Sequence, residues 1–126
     1  MGSINVPIYA STTFAQDGLA QLRGGFEYGR VANPTADTMV RILVRPGDHV
    51  ILGNDSYGGS YRLLNDFTEW GVEMSIVNTC DVDAVTAAVK DNTKLIWLET
   101  PTNPALNITD IAAVAKVKGN AQVLVD

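Results

Sequence analysis

Leu95-Ile96-Trp97-Leu98 is an unbroken apolar run that opens directly into Glu99-Thr100-Pro101-Thr102-Asn103-Pro104, a polar loop bounded by prolines. Four apolar residues without alternation describe a strand covered on both faces, as in a parallel sheet. Three further short runs that read as strands accompany it: His49 to Leu52, Glu73 to Val77, and Gln122 to Val125. Each gap between them carries a helical pattern. Gly58-Gly59 opens one with Leu63, Leu64, Phe67 and Trp70 on a single face, and Gly71 stops it. Asp81 is placed to cap a second, with Val82, Val85 and Val89 inward. Thr109 is placed to cap a third, with Ile111, Val114 and Ala115 inward. Strands that recur roughly every two dozen residues with a helix between them mean right-handed βαβ units and a parallel sheet. The fold class is α/β.

The chain has 126 residues, the size of one ordinary domain. With 46% hydrophobic and 18% charged residues it has the material for a core. A net charge of −5, with nine Lys and Arg spread along the chain, argues against nucleic acid and anionic membrane as partners. One cysteine, Cys80, excludes a disulfide framework, and with His49 the only histidine a structural zinc site lacks ligands. No metal is expected. No apolar run reaches the roughly 18 residues of a membrane span, and no charged-then-apolar leader opens the sequence. The expectation is a protein of the reducing cytoplasm.

Residues 1–35 read differently. They are rich in Gly, Thr, Ser, Asn and Pro, with Tyr9, Phe14, Phe26 and Tyr28 interspersed and no sustained helical period. Such a stretch packs as an extended arm against something else, because alone it buries little. The regular pattern starts at the turn Arg45-Pro46-Gly47-Asp48.

Ligands of open parallel sheets bind at the carboxyl ends of the strands. The loops there are Gly53-Asn54-Asp55-Ser56-Tyr57-Gly58-Gly59, then Glu99 to Pro104, and finally Asp126. Tyr57 reads either as a loop tyrosine packed on a helix or as a flat face for a planar ligand, with two glycines allowing close approach. Asn103, set between prolines, is either a turn residue or a rigidly held amide that donates to a ligand oxygen. Glu99 serves equally as a capping or ion-pairing carboxylate or as a member of a site. Asp126 follows three apolar residues, where a carboxylate wants a cationic partner; the protonated ring nitrogen of a cofactor is one. In the arm, Tyr28 and Arg30 stand two apart, so in an extended segment they point the same way and together suit a phosphate. The ordinary alternative is a solvated arginine. His49, inside a strand, reads as structural, and Cys80 has no neighbouring base to make it a nucleophile.

Taken together these stretches resemble the Cys/Met-metabolism family of pyridoxal-phosphate (PLP) enzymes, whose members include cystathionine γ-synthases and lyases, with the synthase branch the most similar. The motifs that carry the resemblance are Pro7-Ile8-Tyr9-Ala10-Ser11-Thr12-Thr13-Phe14, Glu27-Tyr28-Gly29-Arg30 with Asn33-Pro34-Thr35, Arg45 to His49, Tyr57-Gly58-Gly59-Ser60-Tyr61-Arg62, Glu99 to Pro104, and Val123-Leu124-Val125-Asp126. They cover nearly the whole chain, in order. The fold implied is the large domain of aspartate-aminotransferase-like (fold type I) PLP-dependent transferases, incomplete over 36–126, with residues 1–35 as an arm reaching a neighbouring subunit's site. The resemblance implies that Tyr57, the catalytic candidate of this chain, stacks on the pyridine ring. It further implies that Asp126 pairs with the ring nitrogen, that Asn103 hydrogen-bonds the phenolic oxygen, and that Tyr28 and Arg30 hold the phosphate of an adjacent subunit's cofactor. Arg62 and Glu99 would face the amino-acid substrate. A working site then needs a homodimer, and the family's usual assembly is a dimer of dimers.

The implied reaction is γ-replacement, which joins an O-succinyl or O-acetyl homoserine to cysteine to give cystathionine in methionine and transsulfuration metabolism. A cystathionine lyase or homoserine sulfhydrylase is the near alternative. The sequence also departs from the family. A Ser-Gly-Met phosphate cup is missing between Asn33-Pro34-Thr35 and Arg45, with smaller shortfalls before Phe67 and near Gly119. The family's cofactor-linked lysine lies beyond the position of Asp126, and none of Lys90, Lys94, Lys116 and Lys118 sits in its Ser-Thr-Lys pattern. The sequence is therefore expected to be incomplete, and this polypeptide alone to be inactive. An inactive fragment that pairs with a full-length homologue is one further alternative. A nucleotide-binding α/β domain is another, disfavoured because no Gly-rich phosphate loop follows the first strand.

Overall fold

Proline suits the first position of a helix, where its missing N–H is not needed. Pro34 opens helix α1 (Pro34–Leu43) in the computed structural model, which describes residues 13–18, 21–22 and 34–126. Before it, strands β1 (Gln16–Gly18) and β2 (Gln21–Leu22) pair antiparallel, with Gln16 opposite Leu22. The chain divides into two compact units, Met1–Ile42 and Leu43–Asp126. Tyr28 and Arg30 lie outside the described residues, as does most of the stretch 1–35.

The second unit begins at a turn whose residues each suit their position. Pro46 supplies the fixed φ of the second place, and Gly47, at φ +89°, supplies the left-handed third place of a type II turn. The Asp48 N–H donates to Arg45 O at 3.0 Å, while the Asp48 carboxylate accepts the Arg45 N–H at 2.7 Å. Strand β3 (His49–Gly53) leaves this turn and is buried throughout. Helix α2 (Gly58–Thr68) follows, burying Leu63, Leu64 and Phe67. Next come β4 (Glu73–Val77), α3 (Val82–Ala88), β5 (Thr93–Leu98), α4 (Ile111–Val117) and β6 (Gln122–Val125). The sheet order is β4-β3-β5-β6, and every pairing is parallel. This is the α/β architecture that the apolar runs imply.

One face of the sheet holds a core cluster with α3 and α4. Ile51, Ile96 and Leu98 meet Val85 of α3, Val114 of α4 and Ala121, with Val77 and Val123 packed alongside. Each buried aliphatic side chain contributes about 1.5–3 kcal/mol. That burial, rather than helix propensity, holds α3 and α4, because seven-residue helices do not persist alone in water. Asp81 caps α3 as expected, accepting from the N–H groups of Asp83 and Ala84 at 3.0 and 3.2 Å. Among the described residues no helix is long and apolar enough to cross a membrane.

Three details differ from the sequence reading. Asp110, not Thr109, caps α4, accepting from the Ala113 N–H at 2.9 Å. Thr109 is buried instead and joined to Thr79 by a 3.2 Å hydroxyl contact, so it is unavailable as a cap. The inward face of α4 accordingly centres on Val114 with Val117 beside it, while Ile111 and Ala115 are exposed. Helix α2 ends at Thr68, so Trp70 lies in the turn beyond it, exposed, with its ring 5.0 Å from that of Phe67.

His49 is fully buried at the amino end of β3, its ring nitrogens 2.8 Å from Thr93 Oγ1 and 2.8 Å from Ser75 Oγ. Two hydroxyls can satisfy a neutral imidazole, which needs one donor and one acceptor. Burial, helped by the nearby Lys90 charge and opposed by Glu73, holds its pKa below the ordinary 6.5. The unfolded chain therefore takes up a proton below that value while the folded chain resists it. Stability should fall as pH drops from about 6.5 toward the folded pKa, and this portion of the slope should vanish in His49→Gln. Urea denaturation across that range checks it; equal slopes in the two proteins would contradict the assignment.

Candidate active site

The connections leaving β3 and β5 diverge. These strands are neighbours, yet β3 leads through α2 to β4 on one side and β5 leads through α4 to β6 on the other. Diverging connections make a topological switch point, and the carboxyl edge beside it is where open α/β sheets take ligands. Three segments meet there: the β3–α2 loop, the β5–α4 loop, and the residue after β6.

Tyr57 is half-buried at the N-cap of α2, in extended backbone with φ −51° and ψ 134°. Its side chain caps nothing. The cap function falls to Glu99 of the β5–α4 loop, whose Oε2 accepts the Tyr57 N–H at 2.5 Å. Glu99 is thereby tied to the opposite loop through this bond, the capping role that was one of its two readings. Asp126 is exposed, and its N–H donates to Leu98 O at 2.8 Å, which extends the β5–β6 pairing by one residue. The Asp126 Oδ2 accepts from the Ser60 hydroxyl at 3.2 Å, in the first turn of α2. The Ser60 N–H donates to Tyr57 O at 2.9 Å, so Tyr57, Glu99, Ser60 and Asp126 form one connected set.

Asn103 lies on the exposed β5–α4 loop, its N–H donating to Asp55 O at 3.1 Å. The peptide bonds before Pro101 and Pro104 are cis. Arg62 is exposed one turn into α2, with a guanidinium nitrogen 3.4 Å from where a Cβ on Gly58 would stand. A glycine at 58 leaves that side of the helix start open to the arginine. Tyr28 and Arg30 lie outside the described residues, so the structure places five of the seven candidates and brings four of them, Tyr57, Arg62, Glu99 and Asp126, to α2's first turns and the strand ends beside it. Asp55, Ser60, Thr102 and Asn107 carry bonds that the sequence reading did not assign. A carboxylate two residues before Tyr57, facing a loop rich in Thr and Asn, was the available signal.

The four lysines gather at the opposite end. Lys90 pairs with Glu73 at 3.0 Å, at the start of β4, and Lys118 donates to Ala121 O at 2.7 Å, just before β6. Lys94 is the second residue of β5, and Lys116 is in the last turn of α4. The carboxyl edge is thus acidic, with Asp55, Glu99 and Asp126 set against Arg62, and suits a ligand that brings a positive group.

A model of the Cys/Met metabolism PLP-dependent enzymes matches residues 36–126. The chain belongs to that family. It is 46% identical over 154 residues to cystathionine γ-synthase of Mycobacterium tuberculosis, covering 99% of this chain and 40% of that protein. A cystathionine γ-lyase of Bacillus subtilis is 37% identical over 149 residues, covering 98% of this chain and 39% of the relative. The crystal structure of metB from Corynebacterium glutamicum superposes with a TM-score of 0.69 at 52% identity, covering 99% of this chain and 40% of that one. The chain thus spans about two fifths of the relatives it matches. Both aligned stretches exceed 126 residues, so the relatives interpose internal segments between the shared motifs, in keeping with the shortfalls noted in the sequence.

The family is PLP-dependent, and the chemistry at this edge fits that cofactor. Asp126 is an exposed carboxylate of the kind that suits a protonated ring nitrogen, Tyr57 carries a half-buried aromatic ring, and Asn103 an exposed amide.

Glu99→Ala should cost about 1.5–3 kcal/mol, as for loss of a hydrogen bond to a charged acceptor, and should speed hydrogen exchange at the Tyr57 amide. Urea denaturation and amide exchange by NMR check this; an unchanged Tyr57 amide would show that the bond is not made in solution.

Proposed function

We propose that this chain is the cofactor-facing part of an enzyme that performs γ-replacement, joining an O-succinyl or O-acetyl homoserine to cysteine to give cystathionine. The observation that carries the reading is the acidic carboxyl edge with Tyr57 and Asp126 in one bonded set, in a chain more similar to a γ-synthase than to a γ-lyase. When bound, PLP supplies an electron sink for bonds broken at the substrate carbons.

The residues of this chain hold and orient. Tyr57 presents its ring as a stacking surface, fixed at the N-cap of α2 by Glu99. Asp126 keeps a ring nitrogen protonated by offering it a full negative charge, and Ser60 orients that carboxylate. Asn103 donates to the phenolic oxygen. Arg62 is the anchor for a substrate carboxylate, which its planar guanidinium matches bidentately. In this reading residues 1–35 are an arm whose Tyr28 and Arg30 grip the phosphate in a neighbouring subunit, and 36–126 belong to the PLP-binding large domain. The assembly is a homo-oligomer, a dimer of dimers, in the cytoplasm. The lysine that moves protons between substrate carbons is none of the four in this chain, all of which stand at the far end of the sheet.

A lyase of the same family is the second reading, supported by the γ-lyase relative that aligns over as much of the chain. Incubation of the PLP-loaded protein with each homoserine ester and cysteine, and separately with cystathionine, distinguishes them. Cystathionine formed from an ester is the expected result. Cleavage of cystathionine without synthesis would replace the first reading by the second.

A further inference from the structure

The β5–α4 loop from Thr100 to Asn107 has no regular secondary structure, and apolar packing does not hold it: Leu106 is 71% exposed and, just beyond, Ile108 is 69% exposed. Leu106 also sits at φ 59°, in the left-handed region that a branched side chain rarely adopts unless its surroundings impose it. What imposes it is a knot of hydrogen bonds. Thr102 N–H donates to Asn107 O at 2.9 Å, Leu106 N–H to Thr102 O at 2.9 Å, and Asn107 N–H to Thr102 Oγ1 at 2.8 Å.

That knot is fastened from outside the loop by one residue. The Oδ2 of Asp55, two positions beyond the end of β3, accepts from the Thr102 hydroxyl, from the Ala105 N–H at 3.2 Å and from the Asn107 side-chain amide at 3.3 Å. The Asp55 main-chain carbonyl accepts the Asn103 N–H at 3.1 Å. Asp55 therefore reaches the loop at residues 102, 103, 105 and 107, on both sides of Asn103. Thr102, which relays between Asp55 and Asn107, is only 3% exposed, so water competes poorly for its hydroxyl.

We propose that Asp55 is a positioning residue, which holds the loop in the shape that presents the Asn103 amide and acts on the cofactor through Asn103 without touching it. The proposal rests on the reading of Asn103 as donor to the phenolic oxygen. Three donors converge on one oxygen of Asp55, so an asparagine there can still turn its carbonyl toward them, without the charge that strengthens the bonds. An alanine offers nothing.

Two measurements test it. In the protein without cofactor, Asp55→Ala should raise hydrogen exchange at the amides of residues 102, 103 and 105–107 by about tenfold or more, Asp55→Asn should fall between, and β3 and β5 amides should stay protected. In the PLP-loaded full-length protein, a donor lost from the phenolic oxygen shifts the pH midpoint of the cofactor's visible absorbance. Asp55→Ala should shift that midpoint in the same direction as Asn103→Ala, by about half a pH unit or more, and the double variant should go no further than Asn103→Ala alone. A shift in Asn103→Ala with none in Asp55→Ala would overturn the proposal and leave Asn103 in place. No shift in Asn103→Ala would overturn both. Additive shifts in the double variant would mean that Asp55 acts by another route, which also overturns it.

Discussion

The parallel pairing of β3 with β5 is the constraint on which the rest of this structure depends. Every residue of β3 and all but Lys94 of β5 is buried, and their register sets Ile51 beside Ile96 and Leu52 beside Trp97. Parallel neighbours cannot be joined by a tight turn, so each strand must send its chain over a face of the sheet before returning. The β3 and β5 connections go to opposite sides, to β4 and to β6. The switch point at the carboxyl edge is a consequence of that divergence.

Charge follows the same axis. The carboxyl edge is where α2, α3 and α4 begin, and three carboxylates meet those helix starts: Glu99 at Tyr57, Asp81 at α3 and Asp110 at α4. Negative groups are favoured there by the orphan N–H groups and the dipole of each helix. Asp126 stands apart from these three, since it accepts from a serine hydroxyl and not from a helix-start N–H. With one hydroxyl donor on Oδ2, its carboxylate keeps acceptor capacity for a cationic group. The lysines, at the amino end, complement the helix termini there and leave the carboxyl edge acidic.

Much of this was legible in the residues. The strand runs located all four strands of the sheet; in β3 and β5 burial on both faces leaves no alternation to misread, and Pro46-Gly47 spelled out a turn that only glycine completes comfortably. Asp81 and Gly71 marked helix boundaries through their own chemistry. The misreadings have physical causes as well. Thr109 and Asp110 are both good caps, and only the tertiary contact of Thr109 with Thr79 decides between them. Helix α1 escaped notice because Thr35, Asp37 and Thr38 favour helices weakly, leaving Pro34 as the main local signal. The role of Asp55 depends on a partner loop nearly fifty residues away, and no local pattern announces such a bond. Similarly, the sequence admitted Glu99 to the site but could not say whether it faced a ligand or a backbone amide.

The central claim is that the carboxyl edge of this sheet, through Tyr57 and Asp126, is the binding surface for PLP. Equilibrium binding of PLP, followed by its visible absorbance in the wild-type protein and in Tyr57→Ala, Asp126→Ala and the remote Lys116→Ala, tests it most directly. The account predicts affinity weakened about tenfold or more, a loss of at least roughly 1.4 kcal/mol, in the first two and unchanged in the third. Wild-type affinity in both Tyr57→Ala and Asp126→Ala would contradict it.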